Sequence, residues 1–146
     1  MRGAQVAAHA LNPDLAIVLD CSPAHDLPHW DGEENTRYNT RLGAGPAIYV
    51  ADKGTLSDPR LIRHFTTTAE EKGIPCQFRQ AGGGGTDASV IHKARAGVPS
   101  ISVSVPGRYL HTAASIVTVA DWQNCLQLVH AAVSGMNPSL LSAERV

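Results

Sequence analysis

The sequence has almost no net charge and no long apolar run. Its 146 residues include 12 basic and 13 acidic side chains, so the formal net charge is −1. The basic residues are scattered, and the basic patch typical of proteins that bind nucleic acid or anionic membranes is missing. The apolar runs are also shorter than the roughly 18 residues that a membrane span requires. We therefore expect a soluble protein with neither nucleic acid nor membrane as a partner.

Cysteine is scarce as well. Cys21, Cys76 and Cys125 are odd in number, far apart and without C-x-x-C spacing, which argues against a disulfide framework or a zinc ribbon. We expect them to act as small apolar side chains. The first residues lack the apolar core of a signal peptide. Together these features predict a cytoplasmic protein.

Two familiar catalytic patterns are also missing. The G-x-S-x-G turn of serine hydrolases does not occur. Four consecutive glycines, residues 82–85, could expose backbone N–H groups to an anion, but Thr86 and Asp87 follow them instead of the Lys and hydroxyl of a phosphate-binding loop. An aspartate there would repel phosphate, so nucleotide binding remains only an alternative hypothesis.

Apolar segments alternate between helical and strand periodicity. The length suits one domain with a real core, and the alternation predicts a layered α/β/α fold with a largely parallel or mixed central sheet. Predicted strands are residues 15–20, 46–51, 74–80, 98–105 and 115–119. Predicted helices are residues 2–11, a segment between Asp58 and Gly73, residues 87–96, and a last helix capped by Asp121. Residues 21–45 and 106–114 are predicted loops.

Polar side chains follow several predicted strands. In open α/β sheets the working face lies at the carboxyl ends of the strands, and Asp20 is predicted to end the first strand. The other candidates at this face are His25, Asp26, His29, Asp87, Arg108, Tyr109 and His111. Carboxylate oxygen and imidazole nitrogen are ligands of zinc. By pattern alone, however, Asp20 could equally cap a turn, and the histidines could simply be solvated.

Several motifs, in order, resemble the tetrahedral, cobalt- or zinc-dependent metalloaminopeptidases, which include glutamyl and deblocking aminopeptidases. They are LAIVLD at 15–20, HD at 25–26, RLGAGPAIYV at 41–50, GGTDAS at 84–89, RAGVPSISVSVPGRYLHTA at 95–113 and ADWQN at 120–124. The resemblance implies a zinc-peptidase-like but incomplete α/β domain. Residues 1–134 would be the C-terminal part of the catalytic domain, followed by a poorly ordered tail, 135–146.

The same resemblance implies roles for particular residues. The complete family site holds two divalent metal ions, zinc or cobalt, and by resemblance Asp20 and His111 would each bind one of them. Gly84, Gly85, Thr86, Asp87 and Arg108 would shape the cleft for a peptide substrate. The sequence departs from the family at Thr112-Ala113, where Ser-Pro is usual, which could loosen the loop that carries His111.

The resemblance also implies missing parts. The family's first metal-binding histidine, its bridging aspartate and the Glu-Glu pair that includes the general base would all precede Met1. A two-metal hydrolase needs a bridging ligand and a base, so we expect little activity from this chain alone. The expected partners are an upstream half of the same domain, if separately encoded, and further copies in a homo-oligomer. An alternative is a non-catalytic assembly or peptide-binding module derived from the fold.

Overall fold

The computed structural model describes residues 1–33, 39–80 and 84–142. Five helices and five strands occur within these ranges: α1 (Arg2–Leu11), β1 (Ala16–Pro23), β2 (Ala47–Ile48), α2 (Pro59–Lys72), β3 (Gln77–Phe78), α3 (Ala88–Ile91), β4 (Ser100–Arg108), β5 (Ile116–Val117), α4 (Val119–Ser134) and α5 (Ser139–Ser142). In this part of the chain, no helix is both long and apolar enough to span a bilayer.

The sheet is mixed, as the sequence predicts. Its strands run in the order β1-β4-β2-β3, and β5 pairs with β4 outside this order. β1 and β4 are parallel along their length, whereas β2 is antiparallel to β4 and parallel to β3. Because β4 lies between β1 and β2, it is the central strand on which the rest of the fold is assembled.

Side chains of β4 alternate between the two faces of the sheet. Ile101, Val103 and Val105 pack with α2 and α4 in the main apolar core. Ser100, Ser102 and Ser104 are also buried, but they face the other layer, where α1 and α3 contact each other and α3 contacts the sheet. This arrangement gives the three-layer α/β/α order expected from the sequence.

The capping residues of α2 agree with the sequence prediction. The Asp58 carboxylate accepts the Arg60 amide hydrogen at 3.0 Å, and Pro59 occupies the first turn. Gly73 ends the helix in the left-handed region at φ 63°, which glycine adopts without steric cost. Asp58 also pairs with the Arg60 guanidinium at 2.8 Å in a buried position.

Both long strands extend beyond their predicted ends. β1 runs to Pro23, so Asp20 lies inside the strand, and the prediction that it ends the strand is wrong. The amides of Ala16 and Ala24 donate to the carbonyls of Pro99 and Gly107, on the side of β4. By alternation, the nitrogen of Pro23 points to the other side, where no described strand pairs with β1, so the missing N–H breaks no ladder bond there. β4 likewise continues through Pro106. On the side of β4 that faces β2 and β5, Ser104 pairs with β2 and Gly107 pairs with β5, and Pro106 lies between these two positions.

Other boundaries differ by a few residues. β2 and β3 have two residues each, and α3 ends at Ile91 instead of residue 96. Thr118, rather than Asp121, is the N-cap of α4, since its hydroxyl accepts the Asp121 amide hydrogen at 3.0 Å. The predicted tail contains α5, where the Arg60 guanidinium donates to the Leu141 carbonyl; residues 143–146 lie outside the described ranges.

The predicted loop 21–45 is fixed to the domain by a buried carboxylate. Asp121 is fully buried and accepts amide hydrogens from Gly43 at 2.7 Å and Gly45 at 2.8 Å. Residues 34–38 of this loop lie outside the described ranges.

Cys125 is a core residue whose pKa is raised to about 11, mainly by burial and also by nearby Cys21. Cys21, by contrast, is exposed, so the prediction of an apolar filler is wrong for it.

Candidate functional site

Asp20 lies on β1 opposite Ser104 of β4. Its side chain is exposed, and one carboxylate oxygen accepts the amide hydrogen of Cys21 at 2.8 Å. Burial raises the pKa of the Cys21 thiol, and the Asp20 charge raises it further. The backbone of its own strand therefore orients one carboxylate oxygen of Asp20.

His111 lies in the turn that follows β4. Tyr109 and His111 both have left-handed backbone conformations, with φ of 59° and 63°, which is uncommon for residues with a Cβ and often marks a functional segment. The Thr112 hydroxyl donates to the Tyr109 carbonyl at 2.6 Å and accepts the Ala114 amide hydrogen at 3.4 Å. Thr112 thus closes the turn around His111 at one of the two positions where the sequence departs from the family's usual Ser-Pro.

An ion pair borders the groove beside His111. The Arg108 Nε donates to Asp26 at 2.8 Å, and the other Asp26 oxygen accepts the Leu42 amide hydrogen at 2.9 Å. Burial alone would raise the pKa of Asp26, but the hydrogen bonds from Arg108 and Leu42 and the Arg108 charge hold it below its ordinary value. Arg108 therefore joins the end of β4 to the loop after β1. His25, His29, Tyr109 and His111 line the same groove.

The glycine-rich segment is fixed by a carboxylate that the sequence did not indicate. Asp52 accepts hydrogen bonds from the Thr86 amide at 3.0 Å and the Thr86 hydroxyl at 3.2 Å. Because the hydroxyl has a single hydrogen, the 2.7 Å contact between Thr86 and Ser102 is donated by Ser102. Burial alone would raise the pKa of Asp52, but the hydrogen bonds from Gly54 and Thr86 hold it below its ordinary value.

These contacts separate the predicted substrate-binding residues into two kinds. Thr86 is 3% exposed, and its side chain holds the segment in place from inside. Gly84 and Gly85 are exposed, and Gly84 adopts φ 88°, where a Cβ would have nothing within 4 Å. Asp87 precedes α3, is half exposed and lies 3.3 Å from the Met1 amine. Gly82 and Gly83 lie outside the described residues.

The structure brings some predicted residues together and keeps others apart. Arg108 and His111 share one groove, whereas Asp20 lines another together with residues of α4. Asp20 pairs with Ser104 of β4, whereas the groove of His111 begins at Gly107 of the same strand. The two positions are three residues apart along β4, which corresponds to about 10 Å. Among the residues that the structure describes, no three His, Cys, Asp or Glu side chains are grouped so that they could hold a metal ion.

The donor chemistry of the two predicted ligands nevertheless fits a zinc or cobalt ion. A carboxylate oxygen and an imidazole nitrogen are ordinary ligands of both metals. Both side chains are exposed, that of Asp20 on β1 and that of His111 in the turn after the adjacent strand β4. Each would hold an ion only together with ligands beyond the described residues. The arrangement is thus able to supply separate corners of a larger metal site.

Three carboxylates that position these segments cannot be recognised as such from the sequence. The pattern of residues indicates Asp26 only as a site candidate and Asp121 only as a helix cap, and it gives no signal for Asp52. The partners through which they hold distant segments lie 16 to 82 residues away. A short polar residue beside a glycine-rich segment is a weak signal, because most such residues only face water.

Known proteins resemble this chain along nearly its whole length. The model of the M42 glutamyl aminopeptidase family matches residues 1–128. The glutamyl aminopeptidase of Lactococcus lactis is 34% identical over 137 residues, which cover 94% of this chain and 36% of the relative. The crystal structure of a TET aminopeptidase from a marine-sediment archaeon of the Thaumarchaeota superimposes with a TM-score of 0.89 at 32% identity, covering 97% of this chain and 38% of that one.

A further solved structure is that of the Pyrococcus horikoshii TET1 peptidase, described as able to assemble into a tetrahedron or a large octahedral shell. It superimposes with a TM-score of 0.69 at 26% identity and covers 89% of this chain and 36% of that one. This chain therefore spans less than two fifths of each of these three proteins.

Proposed function

Because the chain belongs to the M42 glutamyl aminopeptidase family, we propose that it forms the C-terminal part of a divalent-metal-dependent catalytic domain that removes N-terminal residues from peptides. The observation that carries this proposal is the family match over residues 1–128, supported by a superposition that covers 97% of the chain.

Asp20 and His111 would each hold one of two metal ions, zinc or cobalt. When bound, such ions lower the pKa of a coordinated water so that it can attack a peptide carbonyl near neutral pH. The contribution of this chain is orientation. The Cys21 amide fixes one oxygen of Asp20 at 2.8 Å, which leaves the other for an ion. Thr112 fixes the turn that carries His111.

The exposed glycines and the groove of His111 would receive the peptide. Gly84 and Gly85 leave backbone accessible to a substrate chain, and Asp52 keeps that segment in position through Thr86. Arg108 would border the cleft while paired with Asp26. Asp87, half exposed close to Gly85, could attract a substrate amine. These assignments rest on placement at the carboxyl ends of the strands.

The general base and the bridging ligand would come from the part of the family fold that this chain does not contain. We therefore propose that the chain alone has little or no peptidase activity and that it works with an upstream half of the domain. Homo-oligomers are proposed as well, since a similar TET peptidase forms shells. The three free thiols are compatible with the proposed cytoplasmic location.

Metal titration tests the proposed ligands. In calorimetric titration with cobalt chloride, the isolated chain should bind cobalt weakly, and tight binding of two ions would contradict the proposal.

After the chain is combined with the missing half, cobalt binding and hydrolysis of leucyl or glutamyl chromogenic amides should both appear. Asp20→Asn keeps an acceptor for the Cys21 amide but removes the charge, so it should reduce cobalt affinity at least tenfold, as should His111→Ala. Asp14→Asn and His9→Ala are matched controls at exposed positions and should change neither.

A non-catalytic peptide-binding or assembly module is the second candidate. It is favoured by the lack of a three-ligand group among the described residues. In that case, a reconstituted complex would bind peptide without cobalt and show no turnover at any metal concentration.

A further inference from the structure

Residues 41–45, at the end of the loop between β1 and β2, are held by side chains of distant elements. We call them the clamped segment. The side chain of Gln77, on β3, accepts the Arg41 amide hydrogen at 2.9 Å. It also donates to the carbonyl of Arg41 at 2.9 Å and to that of Gly45 at 2.8 Å. Because Gln77 binds both ends of the segment, a change at Gln77 reaches all of it.

Asp121 holds the same segment from α4. It is fully buried, and its two oxygens accept the amide hydrogens of Gly43 at 2.7 Å and Gly45 at 2.8 Å. Asp121 is the third residue of α4, where an acidic side chain commonly bonds back to the amide at the start of its own helix. Here its oxygens accept from the clamped segment instead. The charge, which the helix N-terminus favours, therefore acts on a distant loop.

The clamped segment passes this constraint on to Arg108. The amide of Leu42, the residue before Gly43, donates to Asp26 at 2.9 Å. The other Asp26 oxygen accepts from the Arg108 Nε at 2.8 Å, and the Asp26 side chain is only 8% exposed. Because Leu42 and Gly43 are adjacent in the chain, a shift at Gly43 also moves the amide that orients Asp26. A continuous path of contacts thus leads from α4 to the end of β4.

Arg108 is held at one side of its guanidinium. Among the described residues, its two terminal nitrogens have no hydrogen-bond partner, since the bond to Asp26 uses Nε. The side chain lines the groove of His111 and is 26% exposed. A guanidinium is planar, and its five donors keep a fixed geometry. Fixing Nε therefore orients the terminal donors before a ligand arrives, which lowers the entropic cost of binding.

We propose that Asp121 and Gln77 are positioning residues, which set the orientation in which Arg108 donates to a substrate oxygen in the groove of His111. They act through the clamped segment and Asp26, and neither of them lines the groove. This inference rests on the proposed function, which places a peptide in that groove, and adds the residues that orient one of its walls.

Nuclear magnetic resonance of the full chain, labelled with ¹⁵N, tests the path directly. The Nε–H signal of Arg108 is assigned by its loss in Arg108→Lys. Its hydrogen exchange should be about tenfold slower than that of exposed Arg2. Asp121→Asn should remove most of this protection, because an amide side chain has one acceptor oxygen and turns its NH₂ toward the second glycine amide. Gln77→Leu, which loses the bonds to Arg41 and Gly45, should act similarly.

Asp52→Asn is the matched control. It changes a carboxylate that holds a different segment, through Gly54 and Thr86, so exchange at Arg108 should follow only the change in global stability. If Asp121→Asn speeds exchange at the Gly43 amide but not at the Arg108 Nε, the clamp is purely structural and the proposal is wrong. Fast exchange at Arg108 in the parent chain would also overturn it. Circular dichroism checks folding, and Gln77→Leu decides the result if Asp121→Asn does not fold.

Kinetics of the complete aminopeptidase domain provide a second readout. A bond from Arg108 to bound substrate affects KM more than kcat. Asp121→Asn and Arg108→Lys should therefore each raise KM for a leucyl or glutamyl chromogenic amide about tenfold, with a smaller change in kcat. The double variant should add little to either, because both changes act on the same contact. A lower kcat at unchanged KM is the result expected from partial unfolding, and it would contradict the proposal.

The outcomes separate this inference from the proposed function. If exchange at Arg108 responds to Asp121→Asn but the complete domain shows no cobalt-dependent turnover, the positioning path is supported and the aminopeptidase activity is contradicted. If turnover is present and Asp121→Asn leaves KM unchanged, the activity is supported and the positioning role is overturned.

Discussion

The Asp121 carboxylate accepts the amide hydrogen of Gly45 at 2.8 Å, across 76 residues of sequence. Its other oxygen accepts from Gly43 at 2.7 Å. Through these two bonds the first turn of α4 fixes the end of the loop that connects β1 to β2. Both glycines have φ above 80°. The carboxylate therefore binds a backbone conformation that residues with a Cβ seldom adopt.

Gly45 and Gly43 form a matched pair for substitution by alanine. Both have positive φ and both donate to Asp121, but a Cβ at Gly45 would lie 2.1 Å from the Pro75 carbonyl oxygen, whereas nothing lies within 4 Å at Gly43. Gly43→Ala should lower the free energy of unfolding by about 1–2 kcal/mol from backbone strain alone. Gly45→Ala should cost more than about 4 kcal/mol or prevent folding. Urea unfolding measures both, and equal costs would show that the Pro75 contact is not decisive.

Replacing Asp52 should loosen the glycine-rich segment. Asp52→Asn replaces the charged acceptor of the two Thr86 hydrogen bonds with a neutral one. The free energy of unfolding should fall by about 1.5–3 kcal/mol. Amide exchange across residues 84–89 should become faster, while exchange in α2 should change only in proportion to global stability. Asp14→Asn, at an exposed position, is the control and should stay within about 0.5 kcal/mol of the parent chain.

Acid should destabilise the fold through Asp26 and Asp52. Both have pKa values held below the ordinary carboxyl value, so the unfolded chain binds more protons than the folded one as pH falls below about 4. Their contribution to stability is complete above that pH and is lost as pH falls through the folded pKa values. Urea midpoints measured across the acid range, from about pH 5 to about pH 2, should fall, and less steeply in Asp52→Asn. An unchanged slope in that variant would contradict the lowered pKa of Asp52.

A double-mutant cycle measures how strongly Arg108 and Asp26 are coupled. The pair has a 2.8 Å hydrogen bond, with side-chain exposures of 26% and 8%. For this partly buried charged pair we expect a coupling energy of about 1 kcal/mol, above that of a fully exposed ion pair. The measurement uses Arg108→Ala, Asp26→Ala and both together in urea. A coupling energy near zero would mean that the pair does not join β4 to the loop after β1.

The left-handed backbone at Tyr109 predicts an unusual order of stability. Its side chain is 55% exposed, so removing it costs little packing, whereas the positive φ strains any residue with a Cβ. Tyr109→Gly should therefore be more stable than Tyr109→Ala by about 1 kcal/mol, because glycine relieves the strain. Thermal unfolding compares the two directly. If alanine proves the more stable, the turn before His111 does not hold this conformation in solution.

The sequence predicts the helices better than the strand ends. α1 matches its predicted range, and α2 has the predicted Asp58 and Gly73 caps, because capping depends on neighbouring residues. β1 and β4 both continue through prolines that local pattern treats as breaks. Pro23 and Pro106 are tolerated because, among the described strands, their nitrogens face positions without a ladder partner. The neighbouring strands determine which positions these are.

The resemblance of several motifs, in order, was sufficient to place the chain in its family. The alternation of apolar segments predicted a layered α/β fold, because apolar periodicity is a local property of the sequence. The tertiary structure alone decided which carboxylates hold the loops, that Thr86 faces inward, and that Asp20 and His111 lie in different grooves. It also decided that Trp122 and Leu126, on a predicted apolar face, remain exposed. Each of these depends on which distant segment lies opposite a given side chain, and a one-dimensional pattern does not contain that information.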